Sequence, residues 1–532
     1  MFAPKAHCCF TPDSIRDWLG QRRDDPSAMI VEEAAAWCAE LPMHDAYAAL
    51  DSISAMLDAL SSAKSLPLSN RAALARVFDS AASPFVAKLY ADYLKTLHGH
   101  AEKESRLWLV LTGYWFSVEQ TYVGLAKEIH ACRQNVVIVY TVLIERAITA
   151  LSEQAKLARM RYCAADTRIW QALGRLFLMA ETAETCVLPD GVIQAWARLF
   201  MREMASPQNL LPHEIEIVDR LAMHYSAQFV CQRGATTEAG YFFDLLAGQA
   251  PTRRIPTGQS SANSLFFGAG KSYQQAGKDA LSIEQRGSLY ALPALAGFAP
   301  EEVGRMLHHV ARHWSPSPPA REQDRSEVLS RVMIVFDVNE IRRNIAKGDS
   351  KGMDSASAIA QPDLVDAMPT AAVALTESWV VRDESSGGFG ADVPSPMGDG
   401  LCVGKLLGYK REGGDGWGLG VIRRVERDTC KPSRVGIQIL SEQPRTVRLR
   451  PIGAAQLSAW NKRDEAPDNA YCNGILLSLP QGQENGVLLL PCGTYAQEAY
   501  FEWIYDAARD LIAITRLAIH TEEFDLLRYR LV

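Results

Sequence analysis

The sequence lacks the patterns that indicate secreted, disulfide-stabilised or membrane-spanning proteins. Its eleven cysteines are scattered and include no C-x-x-C pair, which favours reduced thiols in a cytoplasm. No charged segment leading into an apolar core follows Met1, so we expect no signal peptide. The most apolar runs, 107–118 and 136–144, are too short to span a bilayer and are predicted to be buried helices. We expect a cytoplasmic protein without a membrane span.

The chain also lacks an excess of positive charge. Lysine and arginine number 55 against 62 aspartate and glutamate residues, which gives a net charge of −7. This balance argues against binding through bulk positive charge, so no nucleic-acid partner is expected. Hydrophobic residues make up 48% and charged residues 22%, as in ordinary globular proteins. Because 532 residues are too many for one core, we predict roughly two to four domains.

Residues 1–240 are predicted to be helical. Apolar residues there recur at steps of three and four, which gives each segment one apolar face. No fixed repeat period is present, so a helical bundle or irregular helical stack is favoured over a regular solenoid. We expect a protein partner to bind through this region. Examples of these apolar faces lie in Met43–Leu60, Leu74–Leu97 and Trp196–Met204.

Residues 241–315 form a mixed connecting region. Tyr241–Leu246 fits either a strand or a helix. Pro300–Trp314 is predicted to be a helix, because Ala299, a proline and two glutamates make a suitable helix start. Ser315–Pro319 is rich in proline and is expected to be a stiff hinge that ends this helix.

Two short patterns resemble functional sites but are incomplete. Gly268–Ser272 imitates the end of a P-loop, yet Leu265 stands where the first glycine is required, so a hairpin or loop is predicted. His309 and His313 lie one helical turn apart without an obvious cysteine or carboxylate ligand set, so we expect exposed helix histidines. We therefore predict no metal site, no cofactor, no catalytic residue and no enzymatic activity.

A polar, glycine-ended loop follows the predicted strand Glu377–Val381. Its pattern is D-x-S-x-x-G, with Asp383, Ser385 and Gly388 at the fixed positions. Aspartate and serine oxygens can hydrogen-bond the backbone of such a loop and fix its shape. Glycine permits a positive φ and lets a ligand approach the bare backbone. An ordinary β-turn would contain the same residue types.

A pair of arginines precedes this loop by about sixty residues. Arg321 and Arg325 have the spacing R-x-x-x-R, and the β-rich run Val332–Phe336 follows them. A solvated basic linker is the alternative for this pair. Further strands are predicted at Leu401–Tyr409, Gly416–Val425 and Arg434–Leu440.

This order of arginine pair, strand, D-x-S-x-x-G loop and later strands resembles the PilZ domain, a small bacterial β-barrel that binds cyclic di-GMP. The resemblance implies a non-enzymatic receptor that converts binding of this nucleotide into a domain rearrangement. It implies that Arg321 and Arg325 clamp phosphate and guanine. It also implies that Asp383 and Ser385 shape the loop and contact a guanine, while Gly388 gives backbone clearance.

The ligand's chemistry suits this reading. Cyclic di-GMP presents two phosphates and two guanines, and a guanidinium binds phosphate bidentately and pairs with the O6/N7 edge of guanine. The resemblance covers residues 316–452. Residues 326–382 separate the arginine pair from the loop, which is more than a compact PilZ domain needs. We therefore predict an insertion at about 345–375, which could displace the first strand and the arginine clamp.

Residues 453–532 are predicted to be a further small β-rich segment after a linker at Asn461–Asn469. The expected fold class is thus α+β and multidomain: an all-helical N-terminal region, a PilZ-like antiparallel β-barrel and this segment. The alternative function is a degenerate PilZ-like barrel that binds no nucleotide and serves as a protein-interaction scaffold. The predicted strands of the tail are Gly474–Leu479, Gly486–Leu490, Tyr500–Tyr505 and Arg509–Leu517.

Overall fold

The structure is a computed structural model, and it divides into two compact units, Met1–Ala320 and Arg321–Val532. The residues that it describes are 27–97, 101–132, 137–181, 190–234, 239–253, 263–317, 319, 324–349, 376–394, 400–428, 431–453, 457, 471–477, 485–494, 500–505, 508–521 and 523–532.

The first unit is built mainly from α-helices, as the spacing of apolar residues predicts. Two examples show how the sequence starts a helix. The Asp45 side chain accepts a hydrogen bond from the Ala48 backbone, and Glu214 accepts one from the Leu211 backbone. The helices are α1 (Ser27–Ala39), α2 (Ala46–Ser62), α3 (Leu68–Thr96), α4 (Ala101–Cys132), α5 (Val137–Met160), α6 (Thr167–Glu181), α7 (Asp190–Met204), α8 (Pro212–Tyr225), α9 (Ser272–Arg286) and α10 (Pro300–His313).

A small antiparallel sheet packs within this helical unit. Its strands are β1 (Val230–Gln232), β2 (Tyr241–Asp244) and β3 (Ser264–Gly268), with β3 in the centre. Tyr241–Leu246, which fits either a strand or a helix from its sequence, therefore contributes a strand. Phe243 and Phe267 from this sheet both pack against Phe200 of α7, with ring centroids 5.3 and 4.3 Å apart. The sheet thus joins the aromatic core of the helices.

A network of charged side chains is buried between α5, α7 and α8. Lys156 Nζ lies 3.1 Å from one Asp219 oxygen, and Arg202 lies 2.8 Å from the other. Burial would raise the pKa of Asp219, but the neighbouring cations outweigh burial and lower it. Removing one member would leave an uncompensated buried charge, which is strongly destabilising. The other charged members are Glu153, Arg198 and Glu216.

The second unit begins with a closed six-stranded antiparallel barrel. Its strands are connected in the order β4-β5-β6-β9-β8-β7, so no strand edge is left unpaired. Exposed and buried residues alternate along β4, where Val332 and Ile334 are buried and Met333 is exposed. The strands are β4 (Ser326–Val335), β5 (Glu377–Ser385), β6 (Gly388–Val393), β7 (Leu406–Arg411), β8 (Gly418–Glu426) and β9 (Ser433–Ser441).

One further helix, α11 (Val338–Asp349), follows β4 directly. It overlaps the start of the insertion that we predict at about 345–375, whereas residues 350–375 lie outside the described residues. The first strand is not displaced, because β4 pairs with both β5 and β7. The condition under which the arginine clamp would be in doubt, a displaced first strand, is therefore not met.

A second closed six-stranded antiparallel barrel follows, in the order β10-β11-β12-β15-β14-β13. Its first strand, β10 (Arg445–Ile452), pairs with β11 and β13, although the resemblance to PilZ places these residues at the end of the first barrel. The last strand was not predicted from the sequence, and the predicted linker lies outside the described residues. The remaining strands are β11 (Cys472–Leu476), β12 (Asn485–Pro491), β13 (Tyr500–Tyr505), β14 (Ala508–His520) and β15 (Phe524–Leu531).

The two barrels share a buried apolar cluster with α11. Ile341 and Ile345 of α11 pack in a cluster that includes Leu406 of the first barrel and Phe524 of the second. The architecture is therefore α+β, with helices first and two β-barrels after them, and the predicted fold class is confirmed. The domain boundaries drawn from the sequence stay predictions.

Candidate functional site

An open cavity of about 670 Å³ lies on the first barrel, where β4, β5, β6 and β9 run side by side. Its lining combines three arginines, three carboxylates and two apolar side chains. Arg325 stands directly ahead of β4, and Leu329 on β4 is 76% exposed at the cavity. The lining residues are Arg325, Glu327, Val328, Leu329, Arg382, Asp383, Asp392 and Arg434.

Irregular strand pairing explains why neighbouring residues of one strand line the same cavity. Successive side chains of a regular strand point to opposite faces. The pairing of β5 with β6 shifts between Val381 and Asp383, and the pairing of β4 with β5 shifts between Glu327 and Ser330. Such bulges re-aim side chains. As a result, Arg382 and Asp383 both contribute to the lining.

Asp383 bonds to two arginines from different parts of the chain. Arg325 Nη1 donates to Asp383 Oδ1, and Arg434 Nη2 donates to Asp383 Oδ2 at 2.6 Å. Partial burial alone would raise the pKa of Asp383, but the hydrogen bonds and charges of Arg325 and then Arg434 outweigh it and lower the pKa. The carboxylate therefore stays ionised at neutral pH and holds both guanidiniums beside the cavity.

A glycine on the intervening strand makes the second of these ion pairs possible. Gly390 of β6 is the cross-strand partner of Asp383, and β9 lies on the far side of β6. A Cβ at Gly390 would lie 2.8 Å from both Asp383 carboxylate oxygens. Because Gly390 has no side chain to fill that space, the Asp383 carboxylate lies over β6 and reaches Arg434.

Two further charged residues of the lining, Arg382 and Asp392, are also paired. Arg382 Nε donates to Asp392 Oδ2 at 2.6 Å across the β5–β6 hairpin. The three ion pairs described for Arg325, Arg382 and Arg434 each engage one guanidinium nitrogen, and a guanidinium carries five N–H donors. The cavity therefore offers oriented cationic donors beside an exposed aliphatic side chain.

The residues that the motif singles out have different positions in the structure. Asp383 and Arg325 come together, whereas Arg321 lies outside the described residues. Ser385 Oγ donates to the Gly388 carbonyl at 3.2 Å and thus closes the β5–β6 hairpin. Ser385 and Gly388 are not among the described residues that line the cavity.

Gly388 gives clearance to a neighbouring strand and does not adopt a positive φ. Its φ is not positive, and a Cβ there would lie 2.1 Å from the Ile437 carbonyl oxygen of β9. The glycine therefore gives clearance to the neighbouring strand of the barrel. It contributes to the site by allowing β6 and β9 to pair.

Sequence reasoning missed Arg382, Asp392, Arg434 and Gly390. Arg434 is the first residue of a predicted strand, but no local spacing connects it with Asp383, 51 residues earlier. Gly390 lies two residues after the last glycine of the motif and is not part of the motif. The weak signal available for Arg382 was its position next to the motif aspartate.

The other short patterns are also placed by the structure. Gly268–Ser272 connects β3 to α9, so it is a strand-to-helix loop. His309 and His313 are partly buried, and their expected exposure is wrong. His309 Nε2 lies 2.7 Å from the Ala205 carbonyl, and His313 Nδ1 lies 2.7 Å from an Arg253 nitrogen. Both histidines therefore belong to the packing of the first unit.

Residues 348–352 have the spacing G-x-S-x-G, which can mark a hydrolase nucleophile. A nucleophile elbow follows a strand and begins a helix. Here Gly348 and Asp349 are instead the last residues of α11. Their context therefore differs from that of a nucleophile elbow.

Within the described ranges, no helix is both long and apolar enough to cross a membrane.

Comparison with known proteins finds a family model that matches part of the helical unit. Residues 32–236 match the family model described as the N-terminal domain of the cyclic-di-GMP receptor FimW. This range lies in the first unit and extends from α1 to the residues after β1. No curated protein matches the chain. Residues 32–236 are thus similar to the FimW N-terminal domain, and the two C-terminal barrels are consistent with a PilZ-like region.

Proposed function

We propose that the chain is a receptor that binds cyclic di-GMP in the cavity of the first barrel. The observation that carries this proposal is the pair of guanidiniums, Arg325 and Arg434, that Asp383 holds beside the cavity. Two such groups match a ligand with two phosphates and two guanine O6/N7 edges. The description of the matched family as a cyclic-di-GMP receptor supports the same ligand.

Under this proposal the residues around the cavity have distinct roles. Arg325 and Arg434 contact phosphate or a guanine edge with the N–H donors that are not used in their ion pairs with Asp383. The exposed Leu329 gives one guanine an apolar surface to pack on. Asp383 orients the two arginines, while Ser385 and Gly388 maintain the hairpin. Arg321 adds a further guanidinium from the segment ahead of Arg325, as the R-x-x-x-R motif implies.

The receptor's output is a change in how the chain binds a protein partner. Ligand contacts at Arg325 fix the segment that leads into β4, and this ordering leads to a domain rearrangement. A partner then binds through the helical region. The proposal includes no catalytic step and places the receptor in the cytoplasm, in line with its unpatterned cysteines.

A protein-interaction scaffold that binds no nucleotide is the second candidate. One observation favours it: every arginine in the described lining already has a carboxylate partner. Three arginines and three carboxylates leave the lining without a net positive charge. Under this alternative the ion pairs only stabilise the barrel.

Isothermal titration of the full chain with cyclic di-GMP separates the two candidates. We expect saturable binding of cyclic di-GMP and far weaker binding of cyclic di-AMP, because adenine presents a donor where guanine presents O6. Equal binding of both dinucleotides would show that charge alone attracts them. If neither dinucleotide binds, the receptor proposal fails and the scaffold remains.

A further inference from the structure

Three strand ends of the second barrel bring a thiol, an imidazole and a carboxylate together. Cys492 follows the last residue of β12, His520 is the last residue of β14, and Asp525 is the second residue of β15. One potential ligand atom from each residue lies within 4.8 Å of the other two. This cluster belongs to a different barrel from the arginine cavity.

The cluster has a buried floor and an open top. Asp525 is only 3% exposed, whereas Cys492 and His520 are exposed. The His520 Nδ1 atom lies 2.6 Å from Asp525 Oδ1, and the Gly493 backbone donates to Asp525 Oδ2 at 3.2 Å. The carboxylate is thus fixed at the base, and solvent can reach the other two groups.

Backbone hydrogen bonds hold the segments that carry Cys492, His520 and Asp525 in place around the Asp525 carboxylate. The Cys492 backbone donates to the Glu523 carbonyl at 3.3 Å, which ties the end of β12 to the turn before β15. In that turn, Thr521 Oγ1 accepts hydrogen bonds from the backbones of Glu523 and Phe524. The backbone positions of the three residues are therefore set by the barrel itself, which preorganises the site.

The donor set has the chemistry of a zinc site. Zinc binds cysteine sulfur, histidine nitrogen and carboxylate oxygen, whereas calcium and magnesium take oxygen ligands. Tetrahedral zinc with ordinary bond lengths separates such ligand atoms by roughly 3.4–3.6 Å. The observed separations range from 2.6 Å, between His520 Nδ1 and Asp525 Oδ1, up to a limit of 4.8 Å, so small side-chain rotations in both directions reach that spacing. Exposed Cys492 and His520 are free to make them.

We propose that Cys492, His520 and Asp525 bind a zinc ion at this end of the second barrel. The three protein ligands leave a fourth coordination position open toward solvent, where a water molecule completes the tetrahedron. The ion joins the ends of β12, β14 and β15. Zinc that binds the folded chain in this way stabilises it by mass action.

Metal binding by the full-length, reduced and metal-free chain tests the proposal. Zn²⁺ is titrated in competition with a chromophoric chelator, and Co²⁺ serves as a spectroscopic probe. We expect a thiolate-to-cobalt charge-transfer band that Cys492→Ser abolishes. Cys492→Ser and His520→Gln should each lower the Zn²⁺ affinity of the proposed site by at least about 100-fold, because each removes a direct ligand.

Matched variants separate this site from unspecific binding. Cys472→Ser removes a half-buried thiol of the same barrel, and His308→Gln removes an exposed histidine that pairs with Glu284 at 2.8 Å. Both controls should keep the wild-type stoichiometry and cobalt spectrum. The proposal is overturned if Cys492→Ser and His520→Gln also keep the wild-type stoichiometry and spectrum, since His520 and Asp525 would then form an ordinary hydrogen-bonded pair.

Discussion

Asp383 lies between the guanidiniums of Arg325 and Arg434 and bonds to both. The resemblance to PilZ implies that this aspartate contacts a guanine. The geometry adds a positioning function to that implied contact, because each of its carboxylate oxygens already accepts from an arginine. A ligand that approaches the cavity therefore meets two arginines whose rotamers are already restricted, which lowers the entropic cost of binding.

The arginines beside Asp383 give the first prediction at this scale. Arg325→Ala and Arg434→Ala should each weaken cyclic di-GMP binding by about 1.5–3 kcal/mol, or roughly 10- to 150-fold in Kd. The physical reason is the loss of a charge-assisted hydrogen bond to phosphate or guanine. Isothermal titration of each purified variant measures the change.

Arg424→Ala is a suitable control for these variants. Arg424 lies on β8, has a similar exposure to Arg434 and pairs with Glu426, but does not line the cavity. Its replacement should leave the affinity unchanged. Wild-type affinity in both Arg325→Ala and Arg434→Ala would refute the proposed role of these guanidiniums.

At the scale of elements, the β5–β6 hairpin positions the site through its fit against β9. Gly388 lies where a Cβ would meet the Ile437 carbonyl at 2.1 Å. Gly388→Ala must therefore push β6 and β9 apart, and we expect it to lower the free energy of unfolding by about 1–3 kcal/mol, as overpacking typically does. Denaturant unfolding of the full chain measures this change.

Gly416→Ala provides the comparison, because no atom lies within 4 Å of the added Cβ and its φ is not positive. That substitution should change stability by no more than about 0.5 kcal/mol. Equal stability of the two variants would contradict the requirement for close approach at Gly388. Reduced ligand binding by Gly388→Ala is expected to follow from the disturbed hairpin.

The sequence reveals these elements better than it reveals their pairing. Strands such as Arg434–Leu440 are predictable because apolar and polar residues alternate along them. The ion pair of Asp383 with Arg434 cannot be predicted from the sequence, since it depends on the register of three strands and on the space that Gly390 leaves open. No local pattern encodes a bulge that turns Arg382 toward the same cavity as its neighbour.

Helix α11 could not be predicted from the sequence either, because it also depends on tertiary contacts. Val338–Asp349 contains asparagine, glycine and several charges, so its composition suggests a loop. Its buried isoleucines, Ile341 and Ile345, pack in the cluster shared by the two barrels. Tertiary packing therefore outweighs weak local propensity here, and the second barrel that provides part of this packing was predicted only as a β-rich segment.

At the scale of the whole molecule, the end of α10 is firmly bonded within the first unit. Trp314 Nε1 donates to the Met201 carbonyl at 2.8 Å, and the Tyr241 hydroxyl donates to the His313 carbonyl at 2.9 Å. Ten residues, rich in proline at their start, separate Trp314 from Arg325 in the sequence. A short proline-rich connector is semi-rigid and transmits a change at one end better than a glycine-rich one does.

The last prediction follows from this connection. When Arg325 contacts the ligand, the segment that leads to it becomes fixed, and the change should reach α10, so that binding shifts the population between two arrangements. Hydrogen exchange of the full chain, with and without cyclic di-GMP, should show slower exchange at 316–326 and 383–390 and altered exchange at 300–314. Arg325→Ala with the ligand is the matched control and should show little of the change at 300–314. Slower exchange confined to 383–390 would keep the binding site but reject its transmission to the helical unit.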